Sequence, residues 1–172
     1  MTAVRRQSTP SDLCEGDAAA WRDRLNGTNI NPATLLATDY LNHFNEVVMM
    51  IEMIPDMPDC IEDVSEWRPK TYQEHFADSA FSDKDLAIEA YDHAPTALRE
   101  HFEMAVGQAN RLVELSVGRL VQAINAADDE MLKFVAGRAG RDLKRLVEVA
   151  GAVINGSTSA IIQTEVDEMF AD

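Results

Sequence analysis

Three polar residues of one predicted helix have the spacing of a metal site. Asp39, His43 and Glu46 stand at positions i, i+4 and i+7, so a helix would place their side chains along one face. Carboxylate oxygens and imidazole nitrogens are ligands for zinc, iron and other divalent metals. The face borders an apolar stripe, where either a site inside a helical bundle or a half-buried ion pair would fit. The first alternative predicts a divalent metal or iron as cofactor, and the second predicts none.

The wider pattern favours ion pairing. Carboxylate-bridged di-iron bundles take a Glu-x-x-His motif from each of two helices. This chain has four histidines and no Glu-x-x-His, and His43-x-x-Glu46 reverses the order. No His-x-x-x-His or His-Glu-x-x-His is present either. We therefore expect His43 to pair with a neighbouring carboxylate, with a metal-binding bundle as the alternative.

Small residues on a later predicted helix indicate a close helix contact. An α-helix turns by about 100° per residue. On this helix the turn places three glycines about 140° from the centre of the apolar stripe, and they are Gly137, Gly140 and Gly151. Small side chains allow two backbones to approach closely. We expect a third helix of the same bundle to rest on this face. The alternative is a homodimer contact, which would make the protein a self-associating helical scaffold.

The segment after Gly156 places apolar residues at helical spacing among acidic ones. The apolar positions follow i, i+4 and i+7 or i+8, and they are Ile162, Val166, Met169 and Phe170. This is the pattern of an amphipathic helix that binds in a groove of another protein. The alternative is a final helix that packs on the bundle itself through Ile162 and Phe170. We expect partner binding, by Ile162, Gln163, Val166, Asp167, Met169 and Phe170.

The run from Gln163 to Phe170 reads Gln-Thr-Glu-Val-Asp-Glu-Met-Phe. It resembles the receiver-binding peptide at the C-terminus of CheZ-type chemotaxis phosphatases, which occurs in related form at the N-terminus of flagellar switch proteins. The shared pattern is Gln, x, an acid or amide, Val or Ile, Asp, x and two apolar residues. The resemblance implies that the protein partner is the receiver domain of a response regulator.

The catalytic pair of that phosphatase family is incomplete here. The family carries a catalytic Asp with a Gln four residues on, inside a Gln-Asp-x-Thr-Gly-Gln stretch of its hairpin. The nearest run in this chain is Gly140-Arg-Asp142-Leu-Lys-Arg-Leu146, which has Leu146 at the position of the Gln. We therefore expect a regulator or adaptor that binds without catalysis.

The elements that must position these residues are all helical. Apolar residues recur at helical spacing and aromatics make up only 6% of the chain. The pattern predicts an all-α bundle built on a long antiparallel hairpin, with helices near 95–126 and 128–155. A helix beginning at Asn31-Pro32 and ending at Ile54 would pack against the hairpin.

The predicted organisation has three parts. Residues 1–30 form a mobile N-terminal tail with a short helix that docks by Trp21 and Leu25, residues 31–155 form the bundle, and residues 156–172 form a short C-terminal amphipathic helix. Residues 70–80 are predicted to be a loop that could include a helical turn. The stripe that faces inward on the last long helix is Met131, Leu132, Val135, Ala139, Leu143, Leu146, Ala150 and Val153.

The charge of the chain limits its partners. A formal net charge of −15 would be repelled by nucleic acid and by an anionic membrane, so we expect neither as a partner. Cys14 and Cys60 form no CxxC motif and indicate no disulfide framework. No apolar run is long enough for a membrane span, and the sequence predicts a cytoplasmic protein.

Overall fold

The computed structural model describes residues 15–157, and over this range the protein is an all-α helical bundle, as predicted. Its helices are α1 (Glu15–Arg24), α2 (Asn42–Met53), α3 (Ile61–Glu66), α4 (Tyr72–Asp78), α5 (Lys84–Asp92), α6 (Thr96–Asn125) and α7 (Asp129–Ile154). Short 3₁₀ turns at Thr38–Leu41 and Pro58–Cys60 precede α2 and α3. No helix within the described range is long and apolar enough to cross a membrane.

The antiparallel hairpin of α6 and α7 is the base of the bundle, and α2 lies along α7. The hairpin turns at Ala127, which has a positive φ of 51°, and the Asp128 carboxylate accepts the backbone N–H of Met131 at 2.9 Å. This bond caps the start of α7. Met131 itself was predicted to face inward, and that prediction is wrong: its side chain is 48% exposed. It belongs to the first turn of α7, at the tip of the hairpin.

The predicted helical start at Asn31 is also wrong. The Asn31 side-chain oxygen accepts the N–H groups of Ala33 and Thr34, at 2.8 and 3.3 Å, which folds the chain into a local turn. Leu35 then adopts a φ of 61°, a left-handed conformation that no helix can continue. Helical geometry begins only at Thr38. Leu35 and Leu36 are fully buried, and this burial offsets the local strain.

The region predicted as a loop contains the helix α4. Its start is a capping box, in which Thr71 Oγ1 accepts the Glu74 N–H at 3.2 Å and Glu74 Oε2 accepts the Thr71 N–H at 2.8 Å. Tyr72 and Phe76 then enter the core one turn apart. The Thr-x-x-Glu signature of this capping box was therefore present in the sequence.

The N-terminal helix α1 packs on the bundle through the two residues that the sequence indicated. Trp21 and Leu25 are buried, and Arg24 forms two hydrogen bonds with the carboxylate of Glu89 on α5, at 2.8 and 2.6 Å. Residues 1–14 of the N-terminal tail predicted over residues 1–30 lie outside the described residues.

Candidate functional site

Of the three predicted metal ligands, only His43 is buried. His43 is only 6% exposed, whereas Glu46 is exposed and Asp39 lies in the 3₁₀ turn before α2. Among the described residues, no group of three or more His, Cys, Asp or Glu side chains could hold a metal ion. The predicted ion pair of His43 is likewise absent from residues 15–157. Asp39 lies in the 3₁₀ turn Thr38–Leu41, whereas His43 and Glu46 lie in α2, which begins at Asn42.

His43 instead lies among aromatic rings. Its imidazole stacks on the indole of Trp67, with ring centroids 4.5 Å apart, and the ring of His75 lies 6.0 Å away. Burial lowers the pKa of His43 to about 4, and the nearby positive charges of His75 and Lys70 act in the same direction. A hydrogen bond with the backbone of Arg68 opposes this shift. His43 is therefore neutral at pH 7.

Two tyrosines fasten the chain around α4 to the start of α2. The Tyr40 hydroxyl donates to the carbonyl of Lys70 at 2.7 Å, and the Tyr72 hydroxyl accepts the N–H of Ala37 at 2.8 Å. Burial raises the pKa of both phenols. Both hydroxyls are therefore protonated at neutral pH, and the segment between α3 and α4 is held beside the start of α2.

A groove lies where this segment passes over α6. Its volume is about 750 Å³, which is within the usual range of ligand pockets. We call it the α6 groove, and the residues that line it are Val64, Ser65, Trp67, Arg68, Pro69, Gly107, Asn110, Arg111, Val113, Glu114 and Val117. A smaller cavity of about 370 Å³ adjoins it and shares Pro69, Gly107 and Asn110.

The α6 groove combines an apolar lining with a few polar groups. Arg68 is anchored through Nη1 to the carbonyls of Ser65 and Trp67, at 2.6 and 2.9 Å. Arg111 has no ion-pair partner within residues 15–157. The side-chain oxygen of Asn110 is buried and has no hydrogen-bond partner in the described part of the chain. Sequence reasoning missed this groove, because its two walls come from segments about forty residues apart and neither has a motif.

The small-residue face of α7 is covered by the same chain. A Cβ added to Gly140 would lie 2.8 Å from Glu52 Oε1 on α2, and one added to Gly151 would lie 3.5 Å from the side chain of Leu41. Gly137 is half-buried and borders Arg141 of its own helix. At Gly140 and Gly151 the structure therefore has the intrachain contact that we expected, and these two glycines are not open to a second copy.

The positions aligned with the phosphatase catalytic pair have structural contacts. Leu146 is fully buried in the core. The Asp142 carboxylate lies 3.5 Å from the guanidinium of Arg138, one turn before it on α7. The side chain at position 146 therefore faces the core, away from the surface where a substrate would bind.

Helix α7 ends in a hydrogen-bonded cap. Gly156 has a φ of 94°, its N–H donates to the carbonyl of Val153, and the N–H of Ser157 donates to that of Ala152, both at 2.9 Å. The Thr34 hydroxyl donates to the carbonyl of Ile154 at 2.6 Å and ties this end to the bundle. The predicted partner-binding residues, Ile162, Gln163, Val166, Asp167, Met169 and Phe170, lie outside the described residues.

The protein is an all-α bundle that carries the α6 groove on its longest helix. Compared with protein-family models, curated proteins and solved structures, the chain has no match.

Proposed function

We propose that the protein is a non-enzymatic cytoplasmic regulator or adaptor that binds a protein partner through its C-terminal peptide. The observation that carries the proposal is the cap of α7. Gly156 ends the helix in a left-handed conformation, and Thr34 binds the last helical turn. Helix α7 therefore ends at Ile154, and residues 158–172 follow a capped helix end that is held on the bundle.

The peptide has the chemistry of a groove-binding helix. Ile162, Val166 and Phe170 would enter an apolar groove of the partner, spaced as one face of a helix. Glu165, Asp167 and Glu168 would steer the peptide toward a basic rim. Complementary charge of this kind chiefly raises the association rate and the specificity.

The resemblance to the peptide of CheZ-type phosphatases supports a receiver domain as the partner. Such a partner would be recognised through Gln163, Val166, Asp167 and the apolar pair Met169 and Phe170. No catalytic step is included in the proposal, because Leu146 stands where the phosphatases carry glutamine.

The proposal is tested by titrating a chemotaxis receiver domain, unphosphorylated and phosphorylated, into the full chain by calorimetry. Phe170→Ala should weaken binding at least about tenfold, as expected for a central apolar anchor. Thr164→Ala is the matched control, because Thr164 is the unspecified x position of the pattern, and its affinity should stay within about twofold.

A pull-down separates a receiver domain from other partners. The full chain and a chain that ends at Ser157 are used as bait in the same lysate. Proteins that bind the peptide should be captured by the full chain alone. If every captured protein also binds the shortened chain, and the receiver domain binds neither, the proposal is wrong.

A further inference from the structure

We propose that the α6 groove is the docking site of the chain's own residues 158–172. The groove is a pre-formed concave surface on the longest helix, and this segment is an amphipathic peptide attached to the adjacent helix. The charge of the segment, the hydrogen bond that it could form in the groove and its length each favour this occupant.

The charges of the α6 groove and of residues 158–172 are complementary. The groove carries Arg68 and Arg111 against the single acid Glu114. The segment 158–172 carries four acidic side chains and no basic one. The whole chain has a net charge of −15, so a site with an excess of arginine is a local exception on an acidic protein. Such a site attracts an acidic peptide.

The apolar lining of the α6 groove is complementary to the apolar side chains of residues 158–172. Val113, Val117 and Trp67 form apolar walls that would accept the apolar face of the segment, which includes Ile162 and Phe170. A buried oxygen without a hydrogen-bond partner destabilises the structure that holds it. A backbone N–H or side-chain donor of a docked peptide would satisfy the buried oxygen of Asn110.

The segment is long enough to reach the groove. Because α7 runs antiparallel to α6, Ser157 leaves the bundle near the N-terminal part of α6. Fifteen extended residues span about 50 Å, and the 30 residues of α6 measure about 45 Å. A tether of this length sets an effective concentration in the millimolar range, so even weak contacts would keep the groove occupied. A second copy or a free peptide has no such advantage.

Docking would regulate the proposed partner binding. The same apolar residues, Ile162, Val166 and Phe170, would be shared between the groove and the partner, so each interaction would exclude the other. This consequence rests on the proposed function, whereas the intramolecular contact does not.

Two glycines of α6 provide a matched test in the full-length chain. A Cβ at Gly107 or at Gly118 would meet no atom within 4 Å, so a leucine at either position has room. The two residues lie eleven positions apart and within about 20° on the helix, and only Gly107 lines the groove. Gly107→Leu would fill the docking site, and Gly118→Leu would add the same side chain elsewhere.

The measurement is amide hydrogen exchange of residues 158–172 in dilute protein. We expect protection in the unaltered chain, an increase of at least about tenfold in exchange rate in Gly107→Leu, and no change in Gly118→Leu. Circular dichroism confirms folding. If Gly107→Leu does not fold, Arg111→Glu serves instead, with Arg119→Glu, outside the groove, as its control.

Three results would overturn the inference. The first is that residues 158–172 exchange at unprotected rates in the unaltered chain. The second is that these residues exchange at the same rate in Gly107→Leu and in Gly118→Leu. Protection that grows with protein concentration would mean that a second copy occupies the groove. Failure of the proposed function gives a different result, because the receiver domain would then bind neither the full chain nor Gly107→Leu while the exchange pattern remained.

Discussion

The imidazole of His43 lies on the indole of Trp67, with ring centroids 4.5 Å apart and ring planes inclined by 22°. The Nε1–H of Trp67 also donates to the backbone carbonyl of His43, at 3.3 Å. Since Trp67 lines the α6 groove, these contacts join one wall of the groove to α2. The histidine whose spacing suggested a metal ligand thus supports the groove through the face of its ring.

Acid should destabilise the protein through His43. Its pKa is about 4 in the folded protein and about 6.5 in an unfolded chain, so between these values the unfolded chain binds more protons. Stability contributed by neutral His43 is complete above pH 6.5 and is lost as the pH falls to 4. The loss is at most roughly 3.4 kcal/mol. Urea unfolding at pH 7, 5.5 and 4 measures it.

A non-titrating ring tests this assignment. His43→Phe keeps an aromatic ring beside Trp67 and removes the proton, so the slope of stability against pH should become shallower between pH 6.5 and 4. Burial also lowers the pKa of His75, which leaves a smaller slope of the same sign. An unchanged slope in His43→Phe would contradict the prediction.

The hydroxyl of Tyr72 should contribute measurably to stability. In Tyr72→Phe the N–H of Ala37, which is fully buried, loses its acceptor. An unsatisfied buried donor costs about 1 to 3 kcal/mol. Tyr91→Phe is the control, because the partner of Tyr91 is the exposed carboxylate of Glu103, which water can solvate. Chemical unfolding should therefore show a larger loss for Tyr72→Phe, and equal losses would refute the argument.

Periodicity and caps predicted the hairpin and the all-α fold because the signals there are local and repeated. The stripe of α6 extends through about eight turns, and Asp128 caps α7 as its position suggested. The start of α2 was mispredicted because Asn31-Pro32 suits both a helix start and a turn. Whether Asn31-Pro32 begins a helix or a turn depends on the hydrogen bond from Thr34 to Ile154, 120 residues away, and on the burial of Leu35.

The α6 groove could not be predicted from the sequence for a related reason. Trp67 and Arg111 come from separate elements, and only the packing of α3 against α6 brings them together. The face bearing His43 was recognised as polar, but sequence spacing alone could not show that its ring would stack on Trp67. The partner-binding role of the C-terminal peptide, by contrast, stays a prediction, because its residues lie outside the described part of the chain.

Replacing Gly140 by leucine should separate α2 from α7. Its Cβ would already lie 2.8 Å from Glu52 Oε1 and 2.9 Å from Glu52 Cγ, and the Glu52 bond to Lys144, at 2.5 Å, would be displaced. Overpacking of this kind costs about 1 to 3 kcal/mol. Gly137→Leu is the control, since its nearest neighbour is the flexible end of Arg141. Unfolding and light scattering should show lower stability and unchanged mass for Gly140→Leu; a smaller mass without a stability loss would favour the scaffold alternative.

The cap of α7 should depend on the left-handed conformation of Gly156. A Cβ there would touch only the Thr34 methyl group, at 3.8 Å, so the cost of Gly156→Ala arises from its φ of 94°. We expect a loss of about 1 kcal/mol, or roughly 3 °C in Tm for a chain of this size. Gly118→Ala, in the interior of α6, should instead stabilise by about 0.5 to 1 kcal/mol. Thermal unfolding of the two variants should give shifts of opposite sign, and a stabilising Gly156→Ala would show that the helix end is not fixed by this cap.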